Sequence, residues 1–166
     1  MKSTSVFVSI AFLAGLAVGL VARRAGLGTL LRRDTHAADL TAIKKLEQED
    51  IEVTLSQDPK GLVDVWAEDG VRFKPGTSPT IGKQAIAAEN EKFHTQYPEF
   101  KVLKYAPDFK TVRIAIVDGW AIEVGSMEAT YKMSANDKPV IVQDKGMRLL
   151  KRQSDGSWKF ALVGLK

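Results

Sequence analysis

"SQDPKGLVDVWAEDGVRFKPG", residues 56–76, is the stretch on which the reading of the chain turns. Asp58-Pro59 closes one helix and opens another, with aspartate as cap and proline in the first turn, and Leu62, Val63 and Trp66 give that second helix its apolar positions. The acidic pair Glu68-Asp69 leads into a brief strand, Val71–Lys74, which Pro75-Gly76 stops. A helix end, two carboxylates, a strand and a hard stop in such close order describe the rim of a pocket.

Upstream of this stretch, helical spacing runs from Asp39, a fitting N-cap, to Gln57. Downstream, Thr80 or Gly82 opens a third helix that ends before Pro98, with Ile86, Phe93 and Tyr97 on one side. Everything beyond reads as β: Phe100–Tyr105, Phe109–Val117, Trp120–Met133, Val140–Arg152 and Trp158–Val163, parted by Asp118-Gly119, Asn136-Asp137 and Asp155-Gly156. Helices first and antiparallel strands afterwards predict an α+β domain over residues 38–166.

Residues 1–37 stand apart. Val6–Ala22 is uncharged, with Lys2 before it and Arg23-Arg24 after it. Its 17 residues would span roughly 25 Å as a helix, the short edge for crossing a bilayer. Residues 1–22 are read as a signal anchor or, if cut after Ala17-Val18-Gly19, as a signal peptide. The protein is accordingly expected to be membrane-anchored by that single segment, through residues 6–22, or exported if the segment is removed. Gly15 and Gly19 have the spacing of helix pairing in lipid. Residues 23–37, with four arginines, read as a basic linker.

Charge location narrows the function classes. The formal net charge of +4 sits wholly in residues 1–37, which hold five Lys/Arg against Asp34; from Ala38 onward 19 basic residues balance 19 acidic ones. A neutral domain lacks the electrostatic footprint for phosphate backbones, so no nucleic-acid partner is expected. The absence of cysteine excludes disulfides, thiolate metal sites and a cysteine nucleophile. With only His36 and His94, no histidine-rich metal site is expected, and nothing implies a cofactor.

Two patterns nominate pocket residues. On a helical wheel Leu40, Ile43, Leu46, Ile51 and Val53 form one apolar arc, and Glu47, Asp50 and Thr54 fall inside it as a stripe spaced i, i+3, i+7. Carboxylates on a buried face need partners or a wet cavity. The alternative is an amphipathic helix with that stripe at its edge. In the long hairpin, a tight turn centred on Asn136-Asp137 would set Glu128 opposite Lys145 and Val124 opposite Leu149. The other face then carries Glu123, Met127 and Tyr131 with Asp144, Gly146 and Arg148, a pocket wall with room left by Ala121, Gly125 and Ala129. The competing reading is a solvated face with a diagonal Glu123–Arg148 ion pair. Trp66, Tyr97 and Tyr131 sit beside these polar positions and are expected to reach the cavity, while Tyr105, Trp120 and Trp158 read as core.

The order of elements, with "SQDPKGLVDVWAEDGVRFKPG", "TIGKQAI" and "DKGMRLLKRQSDGSWKFALV", resembles the SnoaL-like, ketosteroid-isomerase-like families of the nuclear transport factor two-like superfamily, from about Asp39 to the C-terminus. The resemblance implies N-terminal helices packed in a strongly curved antiparallel sheet (a cone-shaped α+β barrel), an apolar pocket and commonly a homodimer. It also implies where isomerase chemistry would sit. The proton-moving carboxylate of the steroid isomerases corresponds to Lys74 and their oxyanion-donating tyrosine to Asp50, so neither residue type is kept. The histidine pair of the dehydratase members reduces to His94, and no Arg-x-Asp of the epoxide-hydrolase type occurs, although Glu123, Arg148 and Asp144 would rebuild such a set across two strands. The reading is therefore a domain that binds a small apolar or amphipathic molecule at Glu47, Asp50, Thr54, Trp66, Tyr97, Glu123, Met127, Tyr131, Asp144 and Arg148. An enzyme using Asp50, Glu123 or Asp144 as base, or a dimerisation module, is the alternative.

Overall fold

The computed structural model describes residues 18–109 and 119–166, with side-chain surroundings from residue 36 onward. Residues 1–37 and 38–166 are separate compact units. Helix α1 spans Val18–Ser56, so Asp39 is not an N-cap. No proline precedes Pro59, and the helix runs unbroken from Val18 past Asp39. Asp39 instead lies mid-helix and buried, accepting from the Trp158 indole Nε1 at 3.2 Å and pairing with Arg152 Nε at 3.3 Å. These contacts fasten the helix to the last hairpin. The expected basic linker, residues 23–37, lies within α1. No helix among the described residues is long and apolar enough to cross a membrane, and most of the expected apolar span, residues 6–17, lies outside the described residues.

Gln57 takes a left-handed backbone (φ 55°) to end α1. Asp58 then accepts from the Lys60 amide at 3.1 Å, and a single turn, α2 (Gly61–Asp64), follows. The expected continuation of that helix through Trp66 is replaced by strand β1, Trp66–Phe73. The reason is a partner remote in sequence: Phe160 N donates to Val65 O at 2.9 Å and Trp66 pairs with Phe160. Strand β2 (Thr80–Ile81) turns back along β1, and α3 (Lys83–Gln96) starts at Gly82, whose φ of 91° suits glycine.

Strands β3 (Lys101–Asp108), β4 (Trp120–Lys132), β5 (Val140–Arg152) and β6 (Trp158–Leu165) complete a six-stranded sheet in the order β2-β1-β6-β5-β4-β3. The α+β class holds, with the sheet curled around the helices and one pairing, β1 with β6, parallel. Irregularities between Trp66 and Val71, between Val102 and Lys104 and between Leu149 and Leu150 bend the strands. Of the strand expected at Phe109–Val117, residues 110–117 lie outside the described residues.

The long hairpin corrects the expected register. Glu128 faces Gln143 and Val124 faces Met147, because a loop rather than a two-residue turn joins β4 to β5. Lys132 Nζ donates to Ala135 O within that loop, and Glu99 accepts from Ala135 N at 3.0 Å. Moving the turn centre by one residue shifts every pair by two, which preserves the faces. Glu123 thus stands directly across from Arg148, not diagonally. Both are buried, as are Ala121, Ala129 and Leu150 on the same face. The core joins Ile43 and Leu46 of α1, Val65, Trp66, Ile86 of α3, Ala121, Leu150, Trp158 and Phe160.

Gly125 and Gly146 face each other on this inner surface. The room expected over Gly125 is taken by the chain at Asp108–Phe109: a Cβ there would lie 2.5 Å from Asp108 O and 2.6 Å from Phe109 Cα. At Gly146 it would meet Gly164 O at 2.2 Å. Only glycine permits these approaches.

Candidate functional site

Helix α1, strand β5 and strand β3 bring three polar side chains to one buried point. Tyr105 donates its hydroxyl to Asp50 Oδ2 at 3.0 Å, and Arg148 Nη2 donates to the same carboxylate oxygen at 3.2 Å and to the Tyr105 hydroxyl at 3.0 Å. Arg148 is 3% exposed, and its guanidinium carbon lies 3.7 Å above the Phe109 ring and 5.0 Å from that of Phe160. Burial holds Asp50 above the usual carboxylate range, although Arg148 and Tyr105 oppose that shift. Burial, with Asp50 beside it, also pushes the Tyr105 phenol upward. Arg148 Nε and Nη1 are buried without a hydrogen-bond partner among the described residues.

On β4, directly across from Arg148, lies Glu123, 1% exposed. Burial first, then the hydrogen bond that its protonated form donates to Glu47 and the charge of Glu47, raise its pKa to about 8, against the pull of Arg148. With its pKa at about 8, Glu123 holds its proton at neutral pH. The second oxygen, Glu123 Oε2, has no partner.

A cavity of about 290 Å³ opens over this cluster. Asp50, Thr54, Tyr105 and Arg148 form its polar side; Leu62, Val65, Trp66, Phe93, Phe160, Val163 and Leu165 form its apolar side. Arg72, Lys74, Asn90 and His94 also line it. Arg72 and Lys74 are organised by Glu89 of α3, which accepts from Arg72 Nη2 at 2.7 Å, from Thr80 Oγ1 at 2.6 Å and from Lys74 Nζ, while Arg72 Nη1 donates to Asn90 at 2.8 Å. Burial works to raise the Glu89 pKa, yet the bonds from Lys74, Thr80 and Arg72 hold it at about 2. Lys74, which stands where the resemblance puts the isomerase base, is thus an ion-paired cation in this structure.

Of the residues expected to form a site, Asp50, Thr54, Trp66 and Arg148 line the cavity, and Glu47 and Glu123 make the carboxyl pair behind it. Tyr97 and Tyr131 belong to an aromatic cluster: Phe93 meets Tyr97 at 5.1 Å and Phe100 at 4.9 Å, and Phe100 meets Tyr131 at 5.6 Å. Met127 and Asp144 pair across β4 and β5, half-buried, away from the cavity lining. Tyr105 is the residue that sequence reasoning assigned to the core. Alternation from buried Val102 would turn Tyr105 outward, but the irregularity between Val102 and Lys104 reverses the phase and turns it in. Phe93 and Arg72 carried no signal beyond their elements' apolar and strand patterns.

A curled sheet with helices enclosing a cavity defines the ketosteroid-isomerase-like, nuclear transport factor two-like fold, and solved structures agree. The chain is similar to a ketosteroid isomerase-like protein from Erwinia carotovora atroseptica at 20% identity and a TM-score of 0.63, over 75% of this chain and 92% of that one. A protein from Catenulispora acidiphila, solved in complex with S-DNPA, matches at 20% identity and a TM-score of 0.59 over 78% and 92% of the two chains. A nuclear transport factor two-like protein with a cystatin-like fold from Novosphingobium aromaticivorans matches at 16% identity and a TM-score of 0.61 over 84% and 88%. At such identities the likeness is one of fold. No family model and no curated protein matches the sequence.

Proposed function

We propose that residues 38–166 bind a small, partly apolar molecule in the cavity between α1, α3 and the sheet. The observation that carries this reading is the buried Asp50–Tyr105–Arg148 cluster on one side of an otherwise largely apolar cavity. A few convergent polar groups in an apolar concavity are the general form of a small-molecule site, and the Catenulispora neighbour, which shares the fold, was solved with a small molecule. The test is a thermal-shift screen of the full-length chain against sterols, polyketides, fatty acids and epoxides, with Val163→Trp as a variant whose cavity is filled. A ligand that raises the melting temperature of the wild type and not of Val163→Trp supports the reading; no shift with any compound counts against it.

Catalysis is the second reading, favoured by a carboxylate with raised pKa on the cavity wall. Asp50 is the base it would use, since Glu123 and Asp144 do not line the cavity. Asp50→Asn separates the two readings: it abolishes turnover by a catalyst, whereas a binding site keeps its other contacts and loses only part of its affinity.

We further propose a homodimer through the outer face of β4 and β5, where Ile122 pairs with Leu149 and Val124 with Met147, and Ile122, Val124 and Met147 are exposed. The localisation proposed is membrane attachment through residues 6–22, or export if that segment is cleaved. Fractionation of expressing cells with N-terminal sequencing of the recovered protein distinguishes the two.

A further inference from the structure

We propose that the ligand of this cavity carries an anionic oxygen head, a carboxylate in its simplest form, seated against Arg148; this deepens the small-molecule reading above and rests on it. Arg148 is 3% exposed and uses only Nη2, on Asp50 and Tyr105, leaving Nε and Nη1 without acceptors among the described residues. A desolvated guanidinium N–H left unpaired carries the full cost of its lost hydration. The polar side of the site is therefore short of acceptors.

A second, separate observation points the same way. Arg72 lines the same cavity, and its Nε is also buried without an acceptor, although Asn90 and Glu89 hold its other two nitrogens. Arg72, Lys74 and Arg148 line the cavity with Asp50, and Glu89 behind the lining pairs with Arg72 and Lys74, so the unmet need for acceptors among the described residues is confined to Arg148 Nε and Nη1 and Arg72 Nε. The Tyr105 hydroxyl is already given to Asp50. An alcohol or amine would add donors to a lining that has donors to spare. A carboxylate offers acceptors alone, and its bonds to guanidinium are charge-assisted. A water between Arg148 Nε and Glu123 Oε2, on cross-strand neighbours, would satisfy that pair yet leave Arg148 Nη1 and Arg72 Nε unmet. The rings of Trp66, Phe93 and Phe160 supply the surface for the rest of the molecule, which is accordingly a compact acid with a cyclic or short-chain apolar body.

The test titrates the full-length chain calorimetrically at pH 7 with matched pairs: 2-naphthoic acid and its primary amide, cyclohexaneacetic acid and its amide, octanoic acid and octanamide, with 2-naphthalenemethanol as a neutral control. At least one acid is expected to bind about tenfold or more tightly than its amide. Arg148→Gln should remove that preference. Should Arg148→Gln fail to fold, Arg72→Gln, which also lines the cavity, should weaken the acid several-fold and its amide less, shrinking the preference. Amides or the alcohol binding as tightly as the acids would overturn the anionic head while leaving the pocket reading standing. Acid binding unaffected in a folded Arg148→Gln would overturn the role of Arg148. If no member of any pair binds, the small-molecule reading falls and the anionic head falls with it.

Discussion

Arg148 is placed by contacts on three sides: Asp50 from α1, Tyr105 from β3 and the Phe109 ring over its face. Removing one partner of a buried pair exposes the other to an uncompensated desolvation penalty, so Arg148→Met in the presence of Asp50 should cost about 3–5 kcal/mol. Pairing it with Asp50→Asn should recover part of that loss, measured by chemical denaturation of both variants. Glu123 makes the pH dependence specific. Its pKa is about 8 in the folded chain and roughly 4.3 in an unfolded one. Below the lower value both states hold the proton and its contribution is fully present. Between the two values only the folded chain holds it, so stability falls as pH rises and the contribution is gone above about 8. Glu89 acts at the other end, because its folded pKa of about 2 lies below the unfolded value. Its contribution is present above the unfolded pKa and is lost as pH falls toward 2. Melting temperatures taken across pH should therefore fall on both sides, with Glu123→Gln flattening the alkaline limb and Glu89→Gln the acidic one. An unchanged alkaline limb in Glu123→Gln would contradict the raised pKa of Glu123.

At the scale of elements, the glycine pair Gly125–Gly146 controls how closely neighbouring chain segments approach the inner face of the hairpin. Gly125→Ala pushes a methyl group into backbone at Asp108 and Phe109, and should cost roughly 1–3 kcal/mol while displacing the Phe109 ring from Arg148. Near-ultraviolet circular dichroism with denaturation checks both effects. Much of this level was legible in the sequence. Turn residues mark the strand ends, and the period of two put Glu123 and Arg148 on one face despite a misplaced turn, since a shift of two residues cannot change faces. The stripe Glu47, Asp50, Thr54 inside an apolar arc likewise ended against the sheet and cavity. What the sequence did not disclose depends on partners remote along the chain. The strand at Trp66 needs β6 beside it, the burial of Asp39 needs the Trp158 indole, and the inward turn of Tyr105 needs an irregularity that no residue type announces.

At the scale of the whole molecule, the outer face of the sheet and the inner cavity call for different partners. Apolar pairs Ile122–Leu149 and Val124–Met147 on the outside favour a second copy of the chain. The proposed dimer predicts a wild type that sediments as a dimer and a Val124→Lys, Met147→Lys double variant that sediments as a monomer with the cavity unaffected. The proposed ligand belongs to the inner cavity, beside Arg148 donors that lack partners among the described residues. The most direct test is native mass spectrometry of the full-length chain, isolated gently from the cells that express it, beside Val163→Trp. The wild type should carry a discrete small-molecule adduct that collisional activation releases and the filled-cavity variant lacks. Identical bare masses for both proteins, together with no response of either to added carboxylic acids, would contradict the small-molecule reading.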